Sequence, residues 1–106
     1  MKETVYNKLI RDKIPEIIEN DGKEPITKTI TDEKEFLQLL IEKLLEEVNE
    51  FKVDPSVDEL VDIIEVTNAI RKIQKWHPRF IESIRRKKHN ERGGFSKKLF
   101  LISVKE

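Results

Sequence analysis

Four carboxylates occupy positions on two adjacent helical segments where apolar side chains are expected. With 3.6 residues per turn, Glu47 falls inside the apolar arc of residues 36–51, and Glu50 falls at its edge. In the next segment, Glu59 and Asp62 each lie between apolar neighbours on the helical projection. Buried carboxylates that converge repel one another and are costly unless positive charge neutralises them. These four residues are therefore candidate ligands of a cation.

The donor set indicates which cation this would be. The chain has no cysteine and only two histidines, which disfavours a zinc site. Carboxylate oxygens suit a hard ion, and i, i+3 spacing places both members of each pair on one helix face. We therefore expect Mg²⁺, with Mn²⁺ as the alternative. Salt bridges to the lysines of this chain explain the same spacing equally well.

Two basic clusters are candidate contacts for an anionic substrate. One precedes the acidic segments, and the other lies late in the chain beside a pair of glycines whose backbone can approach an anion closely. A solvated helix face and a plain turn are the alternative interpretations of these residues. The candidate substrate-binding residues are Lys8, Arg11, Lys13, Lys87, Lys88, Arg92, Gly93 and Gly94.

The charges of the chain balance in number but are segregated along it. The sequence has 21 basic and 21 acidic residues. Residues 31–66 hold twelve acidic and three basic side chains, whereas residues 67–106 hold twelve basic and three acidic ones. This pattern fits either helices that pair their opposite charges or an acidic metal site that works with a basic phosphate clamp. The balanced total disfavours binding of a nucleic-acid polymer.

Helices separated by short breaks must position these residues. The patterning predicts helices over about residues 13–20, 32–52, 56–76 and 78–90. Thr31 or Asp32 can cap the second helix, and Ser56 can cap the third; Asp32 and Ser56 each stand three residues before a glutamate, which is capping-box spacing. The break at residues 54–56 is so short that the second and third helices should be antiparallel neighbours, which brings the two acidic pairs together.

Two further segments alternate apolar and polar residues. Residues 26–31 and 98–104 therefore predict a minor two-stranded β element. A chain of 106 residues has room for one domain, spanning residues 1–106. We predict an all-α fold, an antiparallel bundle of three to four helices per chain with this minor β element.

The acidic pattern resembles that of a known enzyme family. The acidic residues read Glu46-Glu47-x-x-Glu50 and then Glu59-Leu60-x-Asp62. This is similar to the Glu-x-x-Glu and Glu-x-x-Asp motifs of the MazG-like, all-α nucleotide pyrophosphohydrolases, which include dUTP pyrophosphatases and phosphoribosyl-ATP pyrophosphohydrolases. The eight residues between Glu50 and Glu59 are fewer than the family usually shows.

Segments on both sides of the motifs extend the resemblance over nearly the whole chain. They are Tyr6-Asn7-Lys8-Leu9-Ile10-Arg11-Asp12-Lys13-Ile14-Pro15 and Glu91-Arg92-Gly93-Gly94-Phe95. Both are similar to flanking segments in a small archaeal and bacterial branch of the family, which is phosphoribosyl-ATP pyrophosphohydrolase-like.

The resemblance implies a function, a mechanism and an assembly. The function is Mg²⁺-dependent hydrolysis of the bond between the α and β phosphates of a nucleoside triphosphate, which releases a nucleoside monophosphate and pyrophosphate, as in house-cleaning of nucleotides. By analogy, Glu47, Glu50, Glu59 and Asp62 would hold the metal, and Glu47 is our choice for the catalytic base. The resemblance also implies a bundle completed by a second subunit, as a homodimer or a dimer of dimers. Which nucleotide is the substrate stays open.

Other classes of function remain as alternatives. They are the phosphoribosyl-ATP step of histidine biosynthesis, a non-enzymatic helical interaction module, and a protein that binds nucleic acid through residues 85–92. The apolar runs are far shorter than the roughly 20 residues that span a bilayer, and the charged amino terminus lacks a secretory apolar region. We therefore expect a cytoplasmic protein without a membrane partner. Its abundance of Lys, Glu and Ile is typical of heat-adapted proteins.

Overall fold

A computed structural model describes residues 2–106, and within that range it contains α-helices and no β-strand. The helices are α1 (Ile14–Asn20), α2 (Glu33–Val53), α3 (Val57–Ile73) and α4 (Pro78–Arg92). The chain divides into two compact units, the first extending to Lys75 and the second comprising Trp76–Glu106. The predicted all-α class is thus confirmed, whereas one domain over residues 1–106 stays a prediction. None of the helices in the described range has the length and apolar composition needed to cross a membrane.

Side-chain caps set the starts of α2 and α3. Asp32 accepts a hydrogen bond from the backbone N–H of Glu35 at 3.0 Å, and the Ser56 hydroxyl accepts one from the N–H of Glu59 at 3.4 Å. Each cap satisfies a backbone donor that has no partner within the first helical turn. Of the two candidates for α2, Asp32 rather than Thr31 is the cap, and the predicted Ser56 cap of α3 is confirmed.

The helices α2 and α3 pack against each other and form the body of the first unit. The short connection after Val53 makes them an αα-hairpin. Leu40 of α2 and Val66 of α3 are the buried apolar residues, and Glu47 is buried with them. The hairpin therefore buries one narrow stripe of each helix and places a carboxylate within it.

The ends of α3 and α4 differ from the predicted ones. The helix α3 ends at Ile73 rather than near residue 76, because Lys75 adopts a left-handed conformation (φ 60°) and its N–H bonds to the carbonyl of Lys72 at 3.0 Å. The helix α4 continues to Arg92, two residues beyond the predicted end. It stops at Gly93, whose φ of 80° suits a residue without a Cβ.

The predicted two-stranded β element is wrong for the described residues. Residues 26–31 and 98–104 contain no strand and belong to different units. Most of their apolar side chains are exposed, as Ile26 and Ile102 illustrate at 80% and 89%, and Ile30 is half-buried. Alternation is a property of one segment, whereas a strand also needs a partner to satisfy its backbone hydrogen bonds. Both segments have the alternating pattern, but in the described residues neither is paired with a neighbouring strand.

Candidate metal centre

Three of the four predicted metal ligands meet between α2 and α3. One carboxylate oxygen from each of Glu47, Glu50 and Glu59 lies within 4.8 Å of the other two. We call these three residues the acidic cluster. Glu47 and Glu50 share one face of α2 through their i, i+3 spacing, and the Ser56 cap fixes the first turn of α3, which carries Glu59.

Two oxygens of the acidic cluster lack the partners that burial normally requires. Glu47 is only 6% exposed. Its Oε2 and the Oε2 of Glu59 are both buried, and neither has a hydrogen-bond partner among the described residues. A buried carboxylate oxygen without a partner is costly, and a divalent cation would remove that cost. Oxygens that share one Mg²⁺ ion are at most about 4.2 Å apart, so small side-chain rotations would suffice to close the cluster on an ion.

The electrostatics of Glu47 agree with this geometry. Burial, followed by the proximity of the Glu50 carboxylate, raises the pKa of Glu47. The Lys43 ammonium, 3.4 Å from Glu47 Oε1, acts in the opposite direction but does not reverse the shift. A carboxyl group with a raised pKa is one whose negative charge its surroundings do not compensate fully. The residues around Glu47 therefore leave room for an added positive charge.

Lys43 and Glu46 border the acidic cluster, although the sequence pattern did not single them out as site residues. Lys43 Nζ lies 3.2 Å from Glu46 Oε2 and also contacts Glu47. Burial alone would raise the pKa of Glu46, but the hydrogen bonds from Lys8 and Lys43 outweigh it, and the pKa is lowered. The i, i+3 and i, i+4 spacings from Lys43 were the signal that could have revealed this arrangement.

The fourth predicted ligand, Asp62, lies outside the acidic cluster. It follows Glu59 by one helical turn on α3, but its Oδ1 accepts a hydrogen bond from Arg11 Nη2 at 2.6 Å. Arg11 was predicted to bind substrate phosphate. The structure thus pairs a predicted metal ligand with a predicted phosphate ligand.

Lys8 is the second predicted phosphate ligand close to the acidic cluster. Its Nζ donates a hydrogen bond to Glu46 Oε1 at 3.0 Å. That bond raises the pKa of Lys8, and the charges of Glu50 and Glu47 act in the same direction. Lys13 is exposed at the start of α1. Lys8 and Arg11 therefore stand beside the carboxylates, one next to α2 and one next to α3.

An open groove of about 580 Å³ borders the acidic cluster. Its lining consists of Glu46, Asn49, Glu50, Val53, Asp54 and Glu59. Four of these six residues are acidic and none is basic. A polyphosphate would be repelled by such a lining unless divalent cations stood between the two sets of negative charge.

The remaining predicted substrate-binding residues lie in the second unit. Lys87 and Lys88 are exposed on α4, and Arg92 is the last residue of that helix. Gly93 ends the helix, and its N–H bonds to the His89 carbonyl at 2.7 Å. The glycine therefore has a structural role of its own. That these residues, with Gly94, contact substrate stays a prediction.

Comparisons of the chain with protein-family models, with curated proteins and with solved structures found no match. The resemblance in the acidic motifs therefore stays a prediction.

Proposed function

We propose that this protein is a Mg²⁺-dependent nucleotide pyrophosphohydrolase. It would cleave the α–β phosphoanhydride of a nucleoside triphosphate to yield a nucleoside monophosphate and pyrophosphate. The observation that supports this most is the convergence of Glu47, Glu50 and Glu59 with two buried carboxylate oxygens that lack a partner. The similarity of the two acidic motifs to those of MazG-like enzymes supplies the reaction class.

The acidic cluster has the donors that this reaction needs. When bound, Mg²⁺ supplies positive charge against the phosphates and lowers the pKa of water. Glu50 and Glu59 would serve as ligands only. Glu47 would be both a ligand and the base, because it is the most buried carboxylate of the acidic cluster and has an oxygen without a partner. The water oxygen would form a bond to phosphorus as the bond to the leaving pyrophosphate breaks, and the water proton would pass to the Glu47 carboxylate.

Lys8 and Arg11 are the proposed contacts for the phosphates. Both side chains are partly exposed, at 41% and 53%, and both already bind carboxylates beside the acidic cluster. A guanidinium group offers a planar fork of donors that matches two phosphate oxygens, and an ammonium group adds a mobile point charge. Together they would stabilise the charge that develops on the leaving pyrophosphate.

We also propose that the chain assembles with itself, as a homodimer or a dimer of dimers. Leu45 of α2 is 59% exposed, and Leu60, Val61 and Ile64 of α3 are each exposed by 45–49%. A second copy would cover such residues and lower their exposure to water. Equilibrium sedimentation should show a dimer or tetramer at micromolar concentration, and Leu60→Glu should shift it towards monomer. A monomer in both cases would contradict this assembly.

A nucleotide panel tests the activity directly. Ribonucleoside and deoxyribonucleoside triphosphates, dUTP and phosphoribosyl-ATP are incubated with the full chain, with Mg²⁺ and with EDTA, and pyrophosphate is measured. We expect release from at least one triphosphate with Mg²⁺ and none with EDTA. Release from phosphoribosyl-ATP alone would favour the histidine-pathway reaction, and release equal with and without Mg²⁺ would contradict the metal centre.

A helical interaction module is the second candidate, because the same exposed apolar residues on α2 and α3 are typical of a docking surface. In that case the carboxylates serve only as ion-pair partners. It predicts that Mg²⁺ leaves the melting temperature unchanged and that no nucleotide is hydrolysed. A rise in melting temperature with Mg²⁺ excludes this candidate.

A further inference from the structure

Residues 8–11 are attached to both helices of the hairpin beside the acidic cluster. Lys8 binds Glu46 on α2, which precedes Glu47 directly, and Arg11 binds Asp62 on α3, one turn after Glu59. Two charge-assisted hydrogen bonds, of 3.0 and 2.6 Å, therefore join the segment to the two helices.

We propose that Arg11 couples cation binding to phosphate binding through its ion pair with Asp62. In the free protein it holds the Asp62 carboxylate away from the acidic cluster. When a substrate phosphate arrives, the guanidinium exchanges Asp62 for phosphate oxygens, and Asp62 becomes the fourth carboxylate of the cation site. This inference rests on the proposed function, because it assumes that the acidic cluster binds a divalent cation.

The position of Asp62 supports the exchange. Asp62 and Glu59 are neighbours on one face of α3 through their i, i+3 spacing. Only Glu59 joins it, and Asp62 is engaged instead by Arg11 at 2.6 Å. The carboxylate that would complete the set is therefore the one bound to a cationic side chain.

The exposure of the pair makes the exchange feasible. The side chains of Arg11 and Asp62 are 53% and 37% exposed, so either can rotate without unfolding of the hairpin. Exposed ion pairs contribute little to stability, so loss of this one does not threaten the fold. A phosphate, with more charge than a carboxylate and several acceptor oxygens, competes well for the guanidinium.

Coupling of this kind is reciprocal. If phosphate binding releases Asp62 and thereby tightens the cation site, the cation must tighten phosphate binding by the same factor. Arg11 would then favour joint binding of metal and polyphosphate and would disfavour metal binding alone. The substrate class that benefits is one that carries its own phosphates to the metal, such as a nucleoside triphosphate.

A double-mutant cycle on Mn²⁺ affinity tests the coupling without an activity assay. Mn²⁺ binding to the full chain is measured by calorimetry or electron paramagnetic resonance for the wild type, Arg11→Gln, Asp62→Asn and the double variant. We expect Arg11→Gln to tighten Mn²⁺ binding by about five- to tenfold, since it frees Asp62. In the Asp62→Asn background, the same change should alter the affinity by less than about twofold.

Sulfate provides a second arm, as a tetrahedral anion that binds Mn²⁺ weakly. Sulfate should tighten Mn²⁺ binding several-fold in the wild type, and this effect should vanish in Arg11→Gln and in Asp62→Asn. Arg85→Gln is the matched control, because Arg85 forms an ion pair of similar length, 2.7 Å, with Glu82 on α4. It should leave both Mn²⁺ affinity and the sulfate effect unchanged, and circular dichroism verifies that every variant is folded.

The outcomes separate this inference from the proposed function. Wild-type protein that binds no Mn²⁺ would overturn both. Two other results would overturn only the role of Arg11. In the first, Arg11→Gln leaves Mn²⁺ binding unchanged. In the second, Arg11→Gln tightens Mn²⁺ binding by the same factor in the wild-type and Asp62→Asn backgrounds. The second of these results would mean that Arg11 acts through its charge at a distance rather than through Asp62.

Discussion

The acidic hairpin of the first unit and the basic helix of the second unit shift the pKa of a glutamate in opposite directions. On α4, Glu82 accepts hydrogen bonds from Arg85 at 2.7 Å and from Arg86 at 3.3 Å. These contacts, above all the hydrogen bond from Arg85, lower the pKa of Glu82 to about 2. On α2, burial raises the pKa of Glu47, and one of its oxygens has no partner.

The difference shows why residue type alone does not mark a site. An exposed glutamate with arginines three and four residues later is satisfied by its own helix and by water. For a glutamate that faces a neighbouring helix, the side chains of that helix decide whether its charge is compensated. The helix α3 places another carboxylate there, Glu59. Only the second arrangement calls for an added cation.

The largest effect should come from removing one charge of the acidic cluster. Glu59→Gln should lower Mg²⁺-dependent pyrophosphate release by at least about 100-fold, because a weakened ligand loosens a catalytic metal. Glu42→Gln, an exposed change on α2, is the matched control and should stay within about twofold of wild type. Equal activity in Glu59→Gln and wild type, measured by steady-state kinetics, would show that Glu59 is no more important for activity than an exposed glutamate.

Thermal unfolding should show the next largest effect. Mg²⁺ at about 100 times its dissociation constant would stabilise the protein by about 2.7 kcal/mol, which corresponds to a rise of several degrees in melting temperature. Glu47→Gln should abolish most of this rise, whereas Glu82→Gln should keep it. A full rise in Glu47→Gln, measured by calorimetry, would show that Mg²⁺ binds elsewhere.

Removal of a helix cap should have a smaller effect. It should lower stability alone, except where the capped turn carries a residue of the acidic cluster. Ser56→Ala should cost about 1 kcal/mol, since the Ser56 hydroxyl caps α3 through the N–H of Glu59. It should also weaken Mn²⁺ binding, because Glu59 lies in the capped turn. Asp32→Ala removes a cap of the same kind from the far end of α2 and should lower stability alone. Urea unfolding and Mn²⁺ titration together distinguish these outcomes.

The smallest effect is an opposite pH dependence of the two glutamates. The raised pKa of Glu47 means that its contribution to stability is present below the ordinary glutamate pKa and is lost as pH rises through the folded value. Without metal, the stability of Glu47→Gln should therefore increase relative to that of the wild type as pH rises from 4 to 7. Glu82, whose folded pKa is about 2, contributes above the ordinary value and loses its contribution as pH falls towards 2.

Urea unfolding at a series of pH values, with EDTA present, checks both signs. Glu82→Gln should differ from wild type only slightly, since that ion pair is exposed and screened by salt. A loss of stability in Glu47→Gln at neutral pH would contradict the interpretation of Glu47 as an uncompensated buried carboxylate.

Much of the hairpin was predictable from the sequence because its signals are local. The caps Asp32 and Ser56 act within three residues, and helical periodicity alone places Glu47 among apolar neighbours. The short connection between the helices then brings Glu59 to the same place. The two-stranded element failed for the complementary reason, since strand pairing depends on residues distant in the chain.

The sequence by itself determined where α2 and α3 begin and that Glu47 lies among apolar side chains, since hydrogen bonds and periodicity within one helix decide both. Only the tertiary structure decided which charges meet. It separated Asp62 from the other three carboxylates and paired it with Arg11, which lies 51 residues away. Such a pairing depends on the path of the whole chain, because two distant side chains form a hydrogen bond only where the fold brings their atoms within about 3 Å.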